Sequence, residues 1–446
     1  MTALRVTCRP KTQGPAAWNV LLGPSPDYAP LEGKSTADVV IIGAGFAGLS
    51  AARRLRQLEP EAKITLLEAG GIAEGAAGRN SGFMIDLPHN LASEDYAGDG
   101  DDRALIALNR HAIEFAAEAV REYQINCAYF DRAGKVNGAA SDAAHAFNET
   151  YAAHLATLGE TSERLDATQM AELTGSSYYQ AGLYTPGTVM LQPAGYIRGL
   201  AAGVSRQGVR LHEQSPVISA TRQGPDWIVR TPKGSVSAAR VILTVNGHLE
   251  SFGFEAGRLM QIFLFATMTP ELDADALRAL GGQSRWGVTP SDPMGTTVRR
   301  IDTAQGGNRI VTRTCAVLRP DRETKPGDLN RARRVMQQKF DARFPALAGM
   351  RMEHSWAGHL CLTRNGVAVM RELEPGLFSG CAQNGLGTTR GTLTGIGAAE
   401  LAAGTETAIT RHFTTEARPK ALPPQPLQEI GANAVLRWKE WRARRE

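Results

Sequence analysis

Asp38-Val39-Val40-Ile41-Ile42-Gly43-Ala44-Gly45-Phe46-Ala47-Gly48, continued through Leu49 to Leu58 and closed by Ile64-Thr65-Leu66-Leu67-Glu68, decides how the chain is read. Residues 39–42 are a β-branched run, the composition of a parallel strand buried on both faces. The run stops at a complete G-x-G-x-x-G, and residues 49–58 then have helical character, with Ala51, Ala52, Leu55 and Leu58 as the apolar positions. A turn at Glu59-Pro60 leads to a second strand at 64–67, with Glu68 at its carboxyl end. Gly43 permits the tight turn, Gly45 lets the backbone approach a pyrophosphate, and Gly48 lets helix and strand pack closely. Phe46 and Ala47 stand between the glycines ahead of the helix, whose free amides and positive end suit an anion. Glu68 and Ala69 stand where an acid meets ribose hydroxyls. Strand, glycines, helix, strand and acid together specify a dinucleotide site.

Two further glycine-rich stretches extend this reading. Gly70 to Met84 contains five glycines, three alanines and the single cluster Arg79-Asn80-Ser81-Gly82. It reads as backbone running close to a flat or anionic ligand, with Arg79 offsetting phosphate charge and amides bonding ring heteroatoms. Near the other end, Cys381-Ala-Gln-Asn-Gly385-Leu386-Gly387-Thr388-Thr389-Arg390-Gly391 separates a strand at 377–380 from a helix at about 392–403. Its amides suit an electron-rich ring edge. Arg390 occupies the place of a last glycine, so one dinucleotide site is expected, fed by both ends of the fold.

Length and composition bound the rest. A chain of 446 residues suggests two or three domains, and 43% hydrophobic content is ordinary for a globular protein. A formal net charge of +4 gives no warrant for nucleic-acid binding. Five cysteines (Cys8, Cys127, Cys315, Cys361, Cys381) form no C-x-x-C, which fits reduced thiols in a cytoplasmic protein and offers no metal site. Arg5, Arg9 and Lys11 precede no apolar h-region, and no apolar run approaches the roughly 20 residues of a membrane span. The basic segment 437–446 interleaves Trp438 and Trp441 with Arg and Lys. A helix packing its tryptophans on the body is the expectation, contact with a membrane or nucleic acid the alternative.

In chain order, residues 1–36 read as a surface arm anchored by Trp18, Leu21 and Leu22. Helices are expected at 102–124, 143–158, 167–173, 194–206 and 328–344, the first three interrupting strand–helix alternation as an inserted block. Strands are expected at 209–212, 216–222, 227–231, 236–237 and 241–245, the last ending at Asn246-Gly247, where a nucleotide crevice commonly lies. Longer strands at 259–269, 296–301 and 309–317 read as a mixed sheet carrying Gln261, Arg299, Arg300 and Arg313. Alternation keeps Arg299 and Arg300 from facing one pocket. Ser355-Trp356-Ala357-Gly358-His359 is expected to precede a short strand at 366–370.

These motifs, in this order over nearly the whole chain, resemble the D-amino-acid-oxidase-like FAD oxidoreductases, the glycine, sarcosine and γ-glutamylputrescine oxidases, with the last group nearest. The resemblance includes Ala37-Asp38-Val39, Gly-Ala-Ala-Gly78-Arg79-Asn80-Ser81-Gly82, Leu191-Gln192-Pro193, Ser215-Pro216-Val217, residues 241–247, Trp356-Ala357-Gly358 and the final glycine-rich loop. It implies an α/β (α+β mixed) fold: a Rossmann-like FAD-binding domain with an inserted antiparallel or mixed-sheet substrate domain. Under it Gly43, Gly45, Ala47 and Gly48 hold the pyrophosphate and Glu68 the ribose. Arg79, Asn80, Ser81 and Gly82 line the phosphates and flavin. Val217 bonds the adenine through its backbone, Asn246-Gly247 closes that end, and Gly385, Leu386, Gly387, Thr388 and Thr389 run beside the ring system. Two departures touch the substrate pocket: Cys381-Ala-Gln-Asn-Gly385 where many relatives have Ser-Gly-His-Gly, and Thr363-Arg364-Asn365 where relatives tend to have Thr-x-Asp. Cys361 is displaced from the position of covalent attachment, so noncovalent FAD is expected.

The divisions expected are an arm at 1–36, FAD-binding parts at 37–95, 191–250 and 355–412, substrate-domain parts at 96–190 and 251–354, and a basic extension at 413–446. The expected activity is oxidation of a carbon–nitrogen bond in a secondary amine, amino acid or polyamine derivative by hydride transfer to the flavin, the imine then hydrolysing. O2 or a partner protein takes the electrons. Gln261 and His359 are the candidates for catalysis and Arg313 and Trp356 for substrate. The alternatives are a flavin-carrying subunit passing electrons to a partner, and an NAD(P)-linked reductase, disfavoured by the missing second fingerprint.

Overall fold

The computed structural model describes residues 3–8, 14–88, 97–98 and 100–446; Arg9, Lys11 and the expected division at 95/96 lie outside the described residues. A six-stranded sheet runs in the order Arg210–His212, Ile64–Leu67, Val39–Ile42, Arg240–Leu243, Leu377–Cys381, Val369–Glu374. All neighbours are parallel except the last, an antiparallel edge. The central strands are apolar on both sides because both are covered. Val39, Ile41, Ile64 and Leu66 enter the cluster shared with the helices, while Val40, Ile42, Leu67 and Leu243 enter a second cluster with Trp227, Val229 and Val236. Period-2 alternation is therefore absent from these runs.

The second cluster is closed by a five-stranded sheet, Ala3–Arg5, Ser219–Gln223, Asp226–Arg230, Gly234–Ala238 and Gly33–Thr36. The N-terminal arm is thus more than a surface strap. It supplies both edges of this sheet, and its short helix Ala17–Val20 buries Trp18 completely.

The inserted unit is an eight-stranded mixed sheet ordered His354–Thr363, Leu259–Met268, Arg309–Leu318, Thr297–Ile301, Trp286–Pro290, Lys135–Ala139, Ala181–Thr185, Glu163–Asp166. The Trp356 motif does not precede a strand, as expected, but lies inside this ten-residue one, so the sheet continues past 354/355. Phe83–Met84, Val189–Leu191 and Phe130–Asp131 form a small sheet at the junction.

Thr297–Ile301 covers Arg309–Leu318 only as far as Arg313, leaving the edge beyond it open. The helix Leu427–Arg442 closes that edge with side chains. Asn433 bonds both main-chain groups of Leu318, Glu440 accepts from Ala316 N, and Arg437 donates to Ala316 O. Because the polar residues point inward, Trp438 and Trp441 are exposed, which corrects the expectation that they pack on the body.

Candidate active site

The three glycine-rich stretches converge at the amino end of the helix Phe46–Leu58. That end has no side-chain cap and no acidic residue in its first turn, so its amides and positive dipole end are available to an anion. Close approach is set by missing Cβ atoms. A Cβ on Gly48 would lie 1.8 Å from Gly43 O, and one on Gly395 2.1 Å from Ala47 O, which brings the helix Thr389–Ala402 onto the glycine loop. Gly43 holds φ +105° and would press Thr244 O. At Gly45 the nearest atom to a Cβ is Ala77 Cβ, at 3.6 Å. Room opens there.

Glu68 faces this turn, accepting from Ala44 N at 2.8 Å and Gly70 N at 3.0 Å. Burial raises its pKa against those two donors. Ala69 continues the chain beside it, and Val217 packs in the cluster that holds Leu67. Asn246, at φ +48°, accepts from Gln383 N at 3.3 Å, joining the strand end at 246–247 to the last loop.

Loop 79–82 is fixed from two sides by arginines that bond main-chain carbonyls. Arg79 donates to Gly14 O at 2.6 Å and Ala357 O at 3.3 Å, and also to Glu74 O. Arg299, singled out in the sequence only as a strand arginine facing substrate or solvent, instead donates to Ser81 O at 2.8 Å and Leu191 O at 2.6 Å and lies between Trp18 and Phe83. Burial lowers both guanidinium groups to about 10, leaving them cationic at neutral pH. Trp18 donates to Asn80 O and Trp356 to Arg79 O, each at 2.9 Å. Asn80 accepts from Gly82 N at 2.7 Å. The last loop is tied to the same place: Thr388 Oγ1 donates to Phe83 O at 2.7 Å and Thr389 Oγ1 to Ile85 O at 2.9 Å. The tip at Gly385, Leu386 and Gly387 stands clear of those anchors, with a Gly385 Cβ 3.8 Å from Leu362 Cδ2.

Strand register decides which residues of the large sheet face these loops. Trp356 and Gly358 meet Arg79, so even positions of His354–Thr363 face these loops and odd positions face away. Leu360 and Leu362 therefore face them, joined by Ile262, Leu264, Ala316 and Met294 in one apolar cluster that the C-terminal helix covers with Ala432 and Leu436. Arg299 is paired with Val311, and Arg313 is paired with Ala266, which is paired with Trp356, so both arginines share that face. Arg300 points the other way, to Gly281 O.

Gln261 and His359 are brought together, but on the opposite face. Gln261 Nε2 donates to Gly247 O at 3.0 Å and to Glu250 at 2.7 Å, so its oxygen accepts from His359 Nε2 at 2.8 Å. His248 packs against His359 with centroids 5.2 Å apart and the rings tilted by 53°. Burial holds His359 well below its ordinary value and His248 down to about 4, so both rings are neutral. Burial also keeps the Cys361 thiol protonated.

The two departures touch each other. Asn384 Oδ1 accepts from Thr363 N at 2.7 Å and Thr363 Oγ1 at 3.1 Å, while its Nδ2 donates to Val367 O at 2.8 Å. Asn365 is drawn off to Lys420 N and Arg418 O. Of these residues, Arg299 and Asn384 lay in stretches whose sequence was notable, but only register and loop closure reveal what they hold.

An uncapped helix end, glycine-enforced main-chain approach and a carboxylate at the second strand fit the pyrophosphate and ribose of a dinucleotide. The model of the family described as FAD dependent oxidoreductase (DAO) matches residues 38–401. The chain is 26% identical over 387 residues to the probable oxidoreductase OrdL of Haemophilus influenzae, covering 83% of each. To the gamma-glutamylputrescine oxidoreductase of Escherichia coli it is 27% identical over 386 residues, covering 84% of this chain and 87% of that protein. The crystal structure of glycine oxidase from Geobacillus kaustophilus superposes with a TM-score of 0.68 at 18% identity, over 84% of this chain and 96% of that one. The expected fold is borne out, and this chain belongs to the DAO family of FAD-dependent oxidoreductases, with FAD as its cofactor.

Proposed function

We propose that the enzyme oxidises the carbon–nitrogen bond of a secondary amine or amino acid bearing an anionic group, in a slot between the cofactor loops and the facing sheet. The carrying observation is the composition of that sheet face: Leu360, Leu362 and Ile262 beside the Gly385 loop, with Arg313 on the same side. An apolar wall suits a carbon skeleton and a guanidinium suits a carboxylate. The relatives named for γ-glutamylputrescine and glycine chemistry support an amine donor.

When bound, FAD accepts the hydride equivalent removed from the substrate. The chain's own residues supply position. We assign Gly43, Gly45, Phe46, Ala47 and Gly48 to the pyrophosphate, Glu68 and Ala69 to the ribose, and Val217, Asn246 and Gly247 to the adenosine end. Arg79 to Gly82 and Gly385 to Thr389 frame the ring. Arg79 acts here through the loop it braces, its guanidinium being engaged by carbonyls. Trp356 likewise braces the loop. Gln261 and His359 hold the Gly247 turn from behind and take no part in proton transfer; hydride loss calls for a donor nitrogen that is already neutral. Cys361 is buried, protonated and turned away, which favours noncovalent FAD.

The test is anaerobic mixing of the yellow protein with N-methyl amino acids, iminodiacids, D-amino acids and uncharged polyamine derivatives, followed by admission of air. Bleaching by a carboxylated class, with KM raised and kcat retained in Arg313→Gln, is the expected result. Bleaching by uncharged polyamines alone would remove the anion-binding role. Rapid recolouring in air makes the enzyme an oxidase, and persistence of the bleached state a dehydrogenase that uses a partner.

A further inference from the structure

We propose that the outer face of the helix Leu427–Arg442 docks the protein on an anionic lipid surface. The inner face is consumed by the sheet edge, through Asn433, Arg437 and Glu440. The outer face leaves large apolar side chains in water: Leu427 66%, Ile430 66%, Val435 51%, Trp438 52% and Trp441 61% exposed. Leu427, Ile430, Ala434, Trp438 and Trp441 follow helical spacing, forming one stripe about 21 Å long at 1.5 Å per residue with Val435 at its flank. These side chains and Val20 are the large hydrophobic groups found exposed among the described residues.

Charge selects the occupant. Lys439, Arg442, Arg444 and Arg445 are exposed beside the stripe. Arg442 lies over Trp438 at 5.0 Å and Arg444 over Trp441 at 4.6 Å. The three acidic residues of this segment all turn inward. Glu429 pairs with Arg319, Glu440 with Arg331 and Arg437, and Glu446 with Ser141 Oγ and Ala140 N. A second copy laid on the same face would set four cations against four, with no acid between them. A convex helix with tryptophans, aliphatic residues and cations on one side matches the level of lipid headgroups, where aromatic rings and guanidinium groups sit together. The segment is ordered in advance, since Lys339 and Thr296 bond the Glu446 carbonyl. Docking therefore requires little further ordering. No described helix is long and apolar enough to cross a membrane, so the contact is peripheral.

The experiment is flotation of the purified holoenzyme with phosphatidylcholine vesicles and with vesicles containing one third phosphatidylglycerol. Binding to the anionic vesicles, weak binding to the neutral ones and release in about 1 M salt are expected. Lys439→Glu/Arg442→Glu lowers partitioning by about fivefold or more per charge. Trp438→Ser/Trp441→Ser lowers it about tenfold or more. Both variants keep the parental melting temperature and flavin spectrum, because the altered side chains lie on the solvent side. Absence of flotation, equal binding to both vesicle types, or variants that float like the parent overturn the proposal. A dimer seen by light scattering and dissolved by the tryptophan substitutions also overturns it, assigning the stripe to a second copy.

Discussion

The cofactor loops and the sheet face opposite them are built from different materials. The cofactor side is almost all main chain. Helix end, glycine loop and the helix Thr389–Ala402 approach one another because Gly48 and Gly395 have no Cβ, and even its Arg79 bonds carbonyls. The facing side is all side chain: Leu360, Leu362 and Arg313 on an extended sheet whose register alone decides which residues look inward. A cofactor shared across a family is recognised by backbone, which tolerates sequence drift, whereas a substrate is recognised by side chains, which one slip of register turns to the other face.

Gly48→Ala tests the main-chain side most severely. Its new Cβ meets Gly43 O at 1.8 Å, where only backbone can yield, and a loss of at least about 3 kcal/mol with loss of flavin is expected. A near-parental melting curve would break the contrast. Arg299→Met leaves the Ser81 and Leu191 carbonyls without their donor and costs about 3 kcal/mol, with weaker flavin retention. Arg300→Met, one residue along and on the other face, costs about 1 kcal/mol and leaves flavin retention unchanged. Equal flavin loss in both would show that register is not what matters.

His248 gives a pH test of the cluster behind the sheet. Its folded value is depressed to about 4 by burial, from 6.5, so its contribution is present above pH 6.5 and is lost as pH falls through about 4. His248→Gln should flatten that acid limb by about 3 kcal/mol in urea titrations. An unchanged limb would place the titration elsewhere. Gly45→Ala is the mildest change, because Ala77 Cβ at 3.6 Å is ordinary contact. Stability should hold within about 0.5 kcal/mol, while flavin affinity, read by equilibrium dialysis, drops about tenfold.

The same division explains what was legible beforehand. Val39–Ile42 and Ile64–Leu67 match their expected bounds, because apolar runs between glycine and proline signals leave little choice. The glycine-rich loops announced themselves by composition. The strand His354–Thr363 did not, since Gly358 and the mixed run Trp356-Ala-Gly-His follow neither period and both faces are covered. Gln261 and His359 stood out by residue type, yet their parity turns them from the loops. The C-terminal helix misled for a physical reason. Its inner face is polar because it bonds a sheet edge, so the usual rule that tryptophans point inward is reversed there.

Asn384 makes the two unusual loops a single inheritable unit. Its carbonyl holds Thr363 and its amide holds Val367, so each loop supplies partners that the other requires. Grafting a relative's Ser-Gly-His-Gly into 381–385 alone would strand the Thr363 amide. A productive exchange of this loop, in the laboratory or by drift, has to carry residues 363–367 with it.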